Sequence, residues 1–292
     1  MSPLSDPTFS NYDQQQAQQY AESRLSYPER LYNTIIDYHI KSRGQSNILV
    51  DVGCGPGNAT RDMATWFDHA VGLDPSVEMI NTAMKYGGYT KSGQELRYAV
   101  YTADQLSHGV QEVLPIVKEL GGVDLLAAAM APINSATPDP STANADAVQK
   151  VLFELEREIL LPYELPSNRL SRDLYENLIL PWDLDDESLA SEFPASQFQR
   201  LEWDRDGILT DGDQFFNFSD ETTLEGLETD LGTASMVTRW REAHPELANT
   251  ENDCVKQTMA KLRLSLGVGG TENPTITVGN GTVILLFKRK CV

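Results

Sequence analysis

The densest chemistry in the chain is the heptapeptide Asp51-Val-Gly53-Cys-Gly55-Pro-Gly57. Glycines at alternate positions let a ligand approach the backbone closely, because no Cβ stands in the way. The heptapeptide lies between an apolar run, residues 47–52, and a helix-like segment, residues 58–67. It therefore reads as a strand-to-helix turn whose helix start offers unpaired N–H groups. A second acid, Asp74, follows Asp51 by 23 residues and ends the next apolar run, 70–74. An acid about 20 residues beyond such a loop accepts hydrogen bonds from ribose hydroxyls. Its structural alternative is to cap the helix that follows, and the two roles are compatible. Ala103-Asp104 follows a third run, 96–101; an acid there can receive the exocyclic amine of an adenine, or cap a helix. A fourth run, 123–130, ends at Met130, under the ligand or simply in the core.

The elements that must position these residues alternate. Strands are expected at 48–52, 70–74, 96–101 and 123–129. Helices are expected at 20–43, 58–67, 75–86 and 102–120, the third burying Met79, Ile80 and Ala83. Strands alternating with helices argue a parallel sheet with helices on both faces. Right-handed crossovers then place the strand C-termini, and their loops, along one edge. The alternation stops at Met130. Residues 131–147 are rich in Pro, Ser, Thr, Ala and Asp and read as a connector. Helices follow at 148–161, 169–178, 185–193, 222–231, 234–242 and 251–266, with a strand at 198–203. Thr275-Ile-Thr-Val and residues 282–288 flank Asn280-Gly281, a hairpin signal. The expected organisation is a flexible N-terminus over 1–19, a Rossmann-like core over 20–130, the connector, a mainly helical cap over 148–270, and a C-terminal hairpin over 271–292 that completes the sheet.

Charge narrows the partners. Against 23 Lys and Arg stand 43 Asp and Glu, a net −20. A field of that sign repels phosphate backbones and anionic lipid and favours a cationic ligand. No stretch approaches about 20 continuous apolar residues and no signal-peptide pattern opens the chain. The expectation is a cytoplasmic protein with a small-molecule substrate, no nucleic acid and no membrane. Cys54, Cys254 and Cys291 are too sparse for a disulfide framework, and with four scattered histidines they give no metal site.

Taken together, Asp51 to Gly57, Asp74 and Asp104 resemble the class I S-adenosylmethionine-dependent methyltransferases; Asp-x-Gly-Cys-Gly-Pro-Gly is similar to their first motif and departs from the dinucleotide pattern G-x-G-x-x-G. One branch is closer still, the trans-aconitate methyltransferase-like proteins, fungal ones especially. Tyr20-Ala-Glu-Ser-Arg24-Leu-Ser-Tyr27-Pro28 is similar to that branch's opening Y-x-x-x-R-P-x-Y-P, with Leu25 in place of the usual proline. The resemblance implies S-adenosyl-L-methionine as cofactor, held by Asp51, Gly53, Gly55, Gly57, Asp74, Met79, Ala103, Asp104 and Met130. It implies methyl transfer to a small molecule, in fungal secondary metabolism. Tyr20 and Tyr27 are candidates to close over the cofactor, or packing residues. Arg24, Arg169 and Arg172 are candidate carboxylate anchors, since a guanidinium matches a carboxylate in bidentate fashion, or surface charges.

The chain departs from that branch after its fourth strand. The His-Trp-Phe segment and the Pro-Gly-Gly turn are absent, and with them one helix and the fifth strand of the sheet. An unpaired apolar strand edge is costly, so the terminal strand at 282–288 is expected to move in beside the fourth. Methyl transfer is an in-line displacement that needs positioning more than acid–base chemistry, and positioning supplies about 7–11 kcal/mol; no catalytic base is assigned. The competing reading is a methyltransferase-like accessory protein that binds a pathway intermediate or partner without transferring methyl.

Overall fold

The computed structural model describes residues 27–101, 128–132, 137–210, 215–216, 220–269 and 272–289. They divide into two compact units. One holds residues 27–101, 185–198 and those from Leu286 on; the other holds 128–184 and 199–285.

The first unit opens with α1 (Glu29–Lys41), started by Pro28 in extended backbone. Leu31, Tyr32, Ile35, Ile36 and His39 recur at helical spacing and bury one face. Residues 20–26 of the expected helix lie outside the described residues. Then come β1 (Ile48–Val52), α2 (Asn58–Met63, extended by a 3-10 turn, Ala64–Trp66), β2 (His69–Asp74), α3 (Val77–Tyr86) and β3 (Arg97–Val100). The three strands form one parallel sheet in the order β1-β2-β3, with Asp51 beside Gly72 and Asp74 beside Val100. Parallel ladders on both sides explain why central β2 reads His-Ala-Val-Gly-Leu-Asp rather than alternating: from Ala70 to Asp74 every residue is buried. The register sets Val52 beside Leu73 and Asp74 beside Val100, so the C-terminal ends of all three strands lie at one edge, where α/β sheets bind ligands. Helix α1 packs against the α2 turn. The Tyr32 hydroxyl donates to Asp62 at 2.9 Å, and the His39 ring lies 5.7 Å from that of Phe67. The helix expected at 102–120 lies outside the described residues, and α6 (Glu187–Glu192) falls in the expected 185–193.

The second unit contains β4 (Ala128–Pro132), β5 (Thr137–Pro138), α4 (Ala145–Glu154), α5 (Pro166–Arg172), β6 (Gln199–Trp203), β7 (Asp220–Thr223), α7 (Leu224–Gly232), α8 (Ser235–Ala243), α9 (Cys254–Leu266), β8 (Thr275–Gly279) and all but the last residue of β9 (Thr282–Leu286). The expected connector is more ordered than its composition implies: it carries the end of β4, the short β5 and the start of α4. Val148 and Leu152 of α4, Leu224 and Leu227 of α7, Val237 and Trp240 of α8 and Val255, Met259 and Leu262 of α9 form one buried cluster, joined by Ile276 of β8. The turn before α9 is fixed by the fully buried Asp253. Its carboxylate accepts from the Arg241 guanidinium at 2.7 and 3.2 Å, from Val255 N–H at 2.9 Å and from Asn249 N–H at 2.9 Å.

The terminal strands depart from one expectation and meet another. No ladder joins β8 to β9 as a hairpin. Strand β8 is central in the sheet β5-β8-β7, antiparallel to both neighbours, and β9 is central in the sheet β4-β9-β6. Each strand has both edges engaged, so Asn280-Gly281 passes the chain from one sheet to another instead of closing a hairpin. The terminal strand does lie beside the fourth, β4 at Ala128–Pro132, but among the described residues the two belong to the sheet β4-β9-β6 and not to β1-β2-β3, so the expected four-stranded parallel core completed by the terminal strand is not formed there; residues 123–127 lie outside the described residues. All five residues of β9 are buried.

Because both terminal strands are central, deleting residues 275–292 is expected to abolish cooperative thermal unfolding of the chain, not merely to trim a tail. Within β9, Ile284→Ala should cost about 2–5 kcal/mol by cavity formation, measured by chemical denaturation. A truncated chain that melts cooperatively at the parental temperature would refute the topology.

Candidate functional site

The glycine loop is held by the end of β2. Leu73 C=O accepts from both Gly53 N–H (2.7 Å) and Cys54 N–H (3.0 Å). The Asp74 carboxylate accepts from Gly55 N–H at 2.9 Å through one oxygen and from Ser76 N–H at 2.8 Å through the other. Gly57 N–H closes a turn onto Cys54 C=O at 3.0 Å, and Pro56 has no N–H. The loop's own amide donors are thus committed within the protein. Its value to a ligand lies in close approach; the N–H groups expected to be unpaired are those of the helix start, not of the loop itself.

The three glycines divide by role. All have φ in the left-handed region: +78° at Gly53, +53° at Gly55 and +81° at Gly57. Among the described residues, a Cβ added at Gly53 or Gly55 would meet nothing within 4 Å, so these two face open space there. One added at Gly57 would lie 2.8 Å from the Tyr98 hydroxyl oxygen. The Tyr98 ring fills the space behind the loop and also covers Gly72, where a Cβ would stand 2.7 Å from it. Cys54, Ile80, Ala83 and Tyr98 form one buried cluster, with Leu96 packed against it.

Two carboxylates converge here. Asp51 accepts from the Thr60 hydroxyl at 2.5 Å. Burial pushes its carboxyl above the ordinary carboxylate range; the Thr60 hydrogen bond opposes this and nearby Asp74 adds to it. Asp74 is also pushed up by burial, against the two backbone N–H groups it accepts. Burial and both aspartates raise the Cys54 thiol, which leaves it protonated and unreactive. Burial raises the Tyr98 hydroxyl to about 12. Among the described residues the cation beside the loop is Arg61, which donates to Pro56 C=O at 2.9 Å and to Asn58 Oδ1 at 2.5 Å, and lies over the Tyr86 ring.

The other predicted residues fall as follows. Asp74 does not cap α3; Ser76 does, its hydroxyl accepting from Met79 N–H at 3.3 Å, and Met79 itself is core. Tyr27 stands edge-on to Tyr32 at 6.1 Å. Arg169 and Arg172, in the second unit, both pair with the buried carboxylate of Glu164, and Arg172 also with Asp173. Tyr20, Arg24, Ala103 and Asp104 lie outside the described residues, and Met130 is a backbone position in β4. Sequence reading missed Leu73, Thr60 and Tyr98. A carbonyl carries no sequence signal, and the Thr60 and Tyr98 contacts arise only when α2 and β3 pack around the loop.

Gly57→Ala is therefore expected to destabilise more than Gly53→Ala. Both place an L-residue in left-handed backbone, at about 1–2 kcal/mol, but only the former drives a methyl into Tyr98, a further 1–3 kcal/mol or so of overpacking. Equal denaturation midpoints would contradict the division of roles.

Residues 49–113 match the family described as "Methyltransferase domain". The chain is 24% identical over 287 residues to the methyltransferase cfoB of Aspergillus candidus, covering 83% of this chain and 85% of that protein. It is 44% identical over 57 residues to a trans-aconitate 2-methyltransferase of Streptomyces avermitilis, 19% of this chain and 21% of that one. Its fold is similar to that of a putative type II methyltransferase from Anaeromyxobacter dehalogenans, with a TM-score of 0.55 at 18% identity, over 91% of this chain and 97% of that chain. The chain thus carries a methyltransferase-domain match over the glycine loop and both aspartates, is similar to a fungal methyltransferase along most of both chains, and shares its fold with a solved methyltransferase.

Proposed function

We propose that the chain transfers a methyl group from S-adenosylmethionine to a small-molecule acceptor, and that the cofactor lies over Gly53 and Gly55 with its ribose on Asp74. The observation that carries this reading is the open space over these two glycines at the sheet edge where Asp74 ends β2. The geometry fits the group. A carboxylate has about four acceptor sites; Asp74 spends two on Gly55 and Ser76, which leaves two for a pair of ribose hydroxyls. When bound, S-adenosylmethionine supplies the methyl group on a positively charged sulfonium. Half-buried Asp51 and buried Asp74 present two carboxylates, with Arg61 bonded to Pro56 C=O, so the site attracts a cation. Exposed Val52 and Val100, flanking Asp74 at the same edge, offer apolar surface for a flat heteroaromatic ring. The role in fungal secondary metabolism that the resemblance implies belongs to this reading, and similarity to a methyltransferase of the fungus Aspergillus candidus supports its fungal part. Among the described residues no helix is long and apolar enough to cross a membrane.

Asp74→Ala is expected to weaken S-adenosylmethionine binding by about 1.5–3 kcal/mol, the scale of hydrogen bonds to a charged group, read by isothermal titration calorimetry on protein shown to be folded. Unchanged affinity would sink the assignment.

The pH dependence follows from the two raised carboxyls. On acidification they protonate before ordinary carboxylates do, so affinity should decline from neutral pH at a higher pH than an unperturbed aspartate would give. Their contribution to the ligand-free fold has the opposite sign. A carboxyl with a raised folded pKa contributes stability that is present below its unfolded value and is lost as pH rises through the folded value. Calorimetric titrations across pH 4–8 check the first statement; a flat affinity profile over that range would contradict it.

A further inference from the structure

We infer that Thr60 is a positioning residue for the cofactor site: its hydroxyl donates to the Asp51 carboxylate and holds it oriented at the end of β1. The inference rests on the placement of the cofactor proposed above. Thr60 lies in the first turn of α2 and is fully buried. A helical threonine commonly turns its hydroxyl back to the carbonyl four residues earlier. Here that carbonyl, Pro56 C=O, accepts from the Arg61 guanidinium instead, and the Thr60 hydroxyl reaches Asp51 Oδ2 at 2.5 Å.

The surroundings give that bond its importance. Facing Asp51 are Asp74 from β2, the Cys54 thiol from the loop and the Tyr98 hydroxyl from β3, with Arg61 on α2. Asp74 repels it, and the thiol and phenol are neutral at physiological pH. Arg61 is engaged by Pro56 and Asn58. Burial and Asp74 both favour the protonated carboxyl, and Thr60 is the side chain that favours the charged form. Without it, a protonated Asp51 would present a weaker field to a sulfonium cofactor. A hydroxyl acting only on helix stability would leave that field unchanged.

The test uses Thr60→Val, which keeps the volume and removes the donor, and Thr60→Ser, which restores it. The Asp51 carboxyl is followed by 13C NMR, and S-adenosylmethionine affinity by calorimetry, across pH 4–8. Thr60→Val should raise the Asp51 titration midpoint by about one pH unit, the tenfold change that one hydrogen bond to a charged group supplies. It should move the affinity profile in the same direction, and Thr60→Ser should return both to parental values. An unmoved Asp51 midpoint in folded Thr60→Val overturns the inference, as does a serine variant that behaves like valine. If Thr60→Val does not fold, Thr60→Ala is read in the same way. A shifted midpoint in a chain that binds no S-adenosylmethionine at any pH would overturn the cofactor placement, and with it the positioning role, while leaving the hydrogen bond itself established.

Discussion

The last two residues of β2 govern the arrangement around them. Leu73 offers a carbonyl that two loop amides share, and Asp74 offers a carboxylate that binds a third loop amide and the first amide of the next turn. Four backbone donors of a loop and a helix start are thereby tied to one strand end. Because β2 is the central strand, its position is set by parallel ladders on both sides. The loop inherits that rigidity. Three residues in left-handed backbone would otherwise be free to rearrange, and the strand end selects one conformation from the many that glycine permits.

The same tether has an electrostatic consequence. Holding the loop requires a buried carboxylate, and holding the start of α2 brings a second one close by. Two acids with no ion-pair partner among the described residues are a poor device for stability, since burial disfavours their charged forms. They suit a site whose ligand brings the missing positive charge. The cost in the ligand-free chain and the attraction for a cation have one origin.

The second unit solves a different problem. Its last strand, β9, is buried along its whole length, and both β8 and β9 have both edges filled. A strand this apolar at an open edge would be a template for aggregation. Between β4 and β6 it is covered on both sides, and among the described residues no other strand separates β4 from β9. The helical layer of α4, α7, α8 and α9 packs on the neighbouring sheet through Ile276 of β8.

The sequence by itself determined the parallel β1-β2-β3 arrangement, because continuous apolar runs alternating with helical periods admit few other folds, and it placed Asp51, the glycines and Asp74 at strand ends through short-range turn chemistry. It did not determine that the loop's amides are spent internally, that Gly57 yields to Tyr98 while Gly53 and Gly55 face open space, or that Ser76 caps α3 in place of Asp74. Those facts depend on which atoms of distant elements come within about 3 Å, the reach of a hydrogen bond, and no local pattern encodes that distance. The Asn280-Gly281 hairpin failed for the same reason. Its local preference is real, but each flanking strand finds two long-range partners, and tertiary pairing of whole strands outweighs one turn.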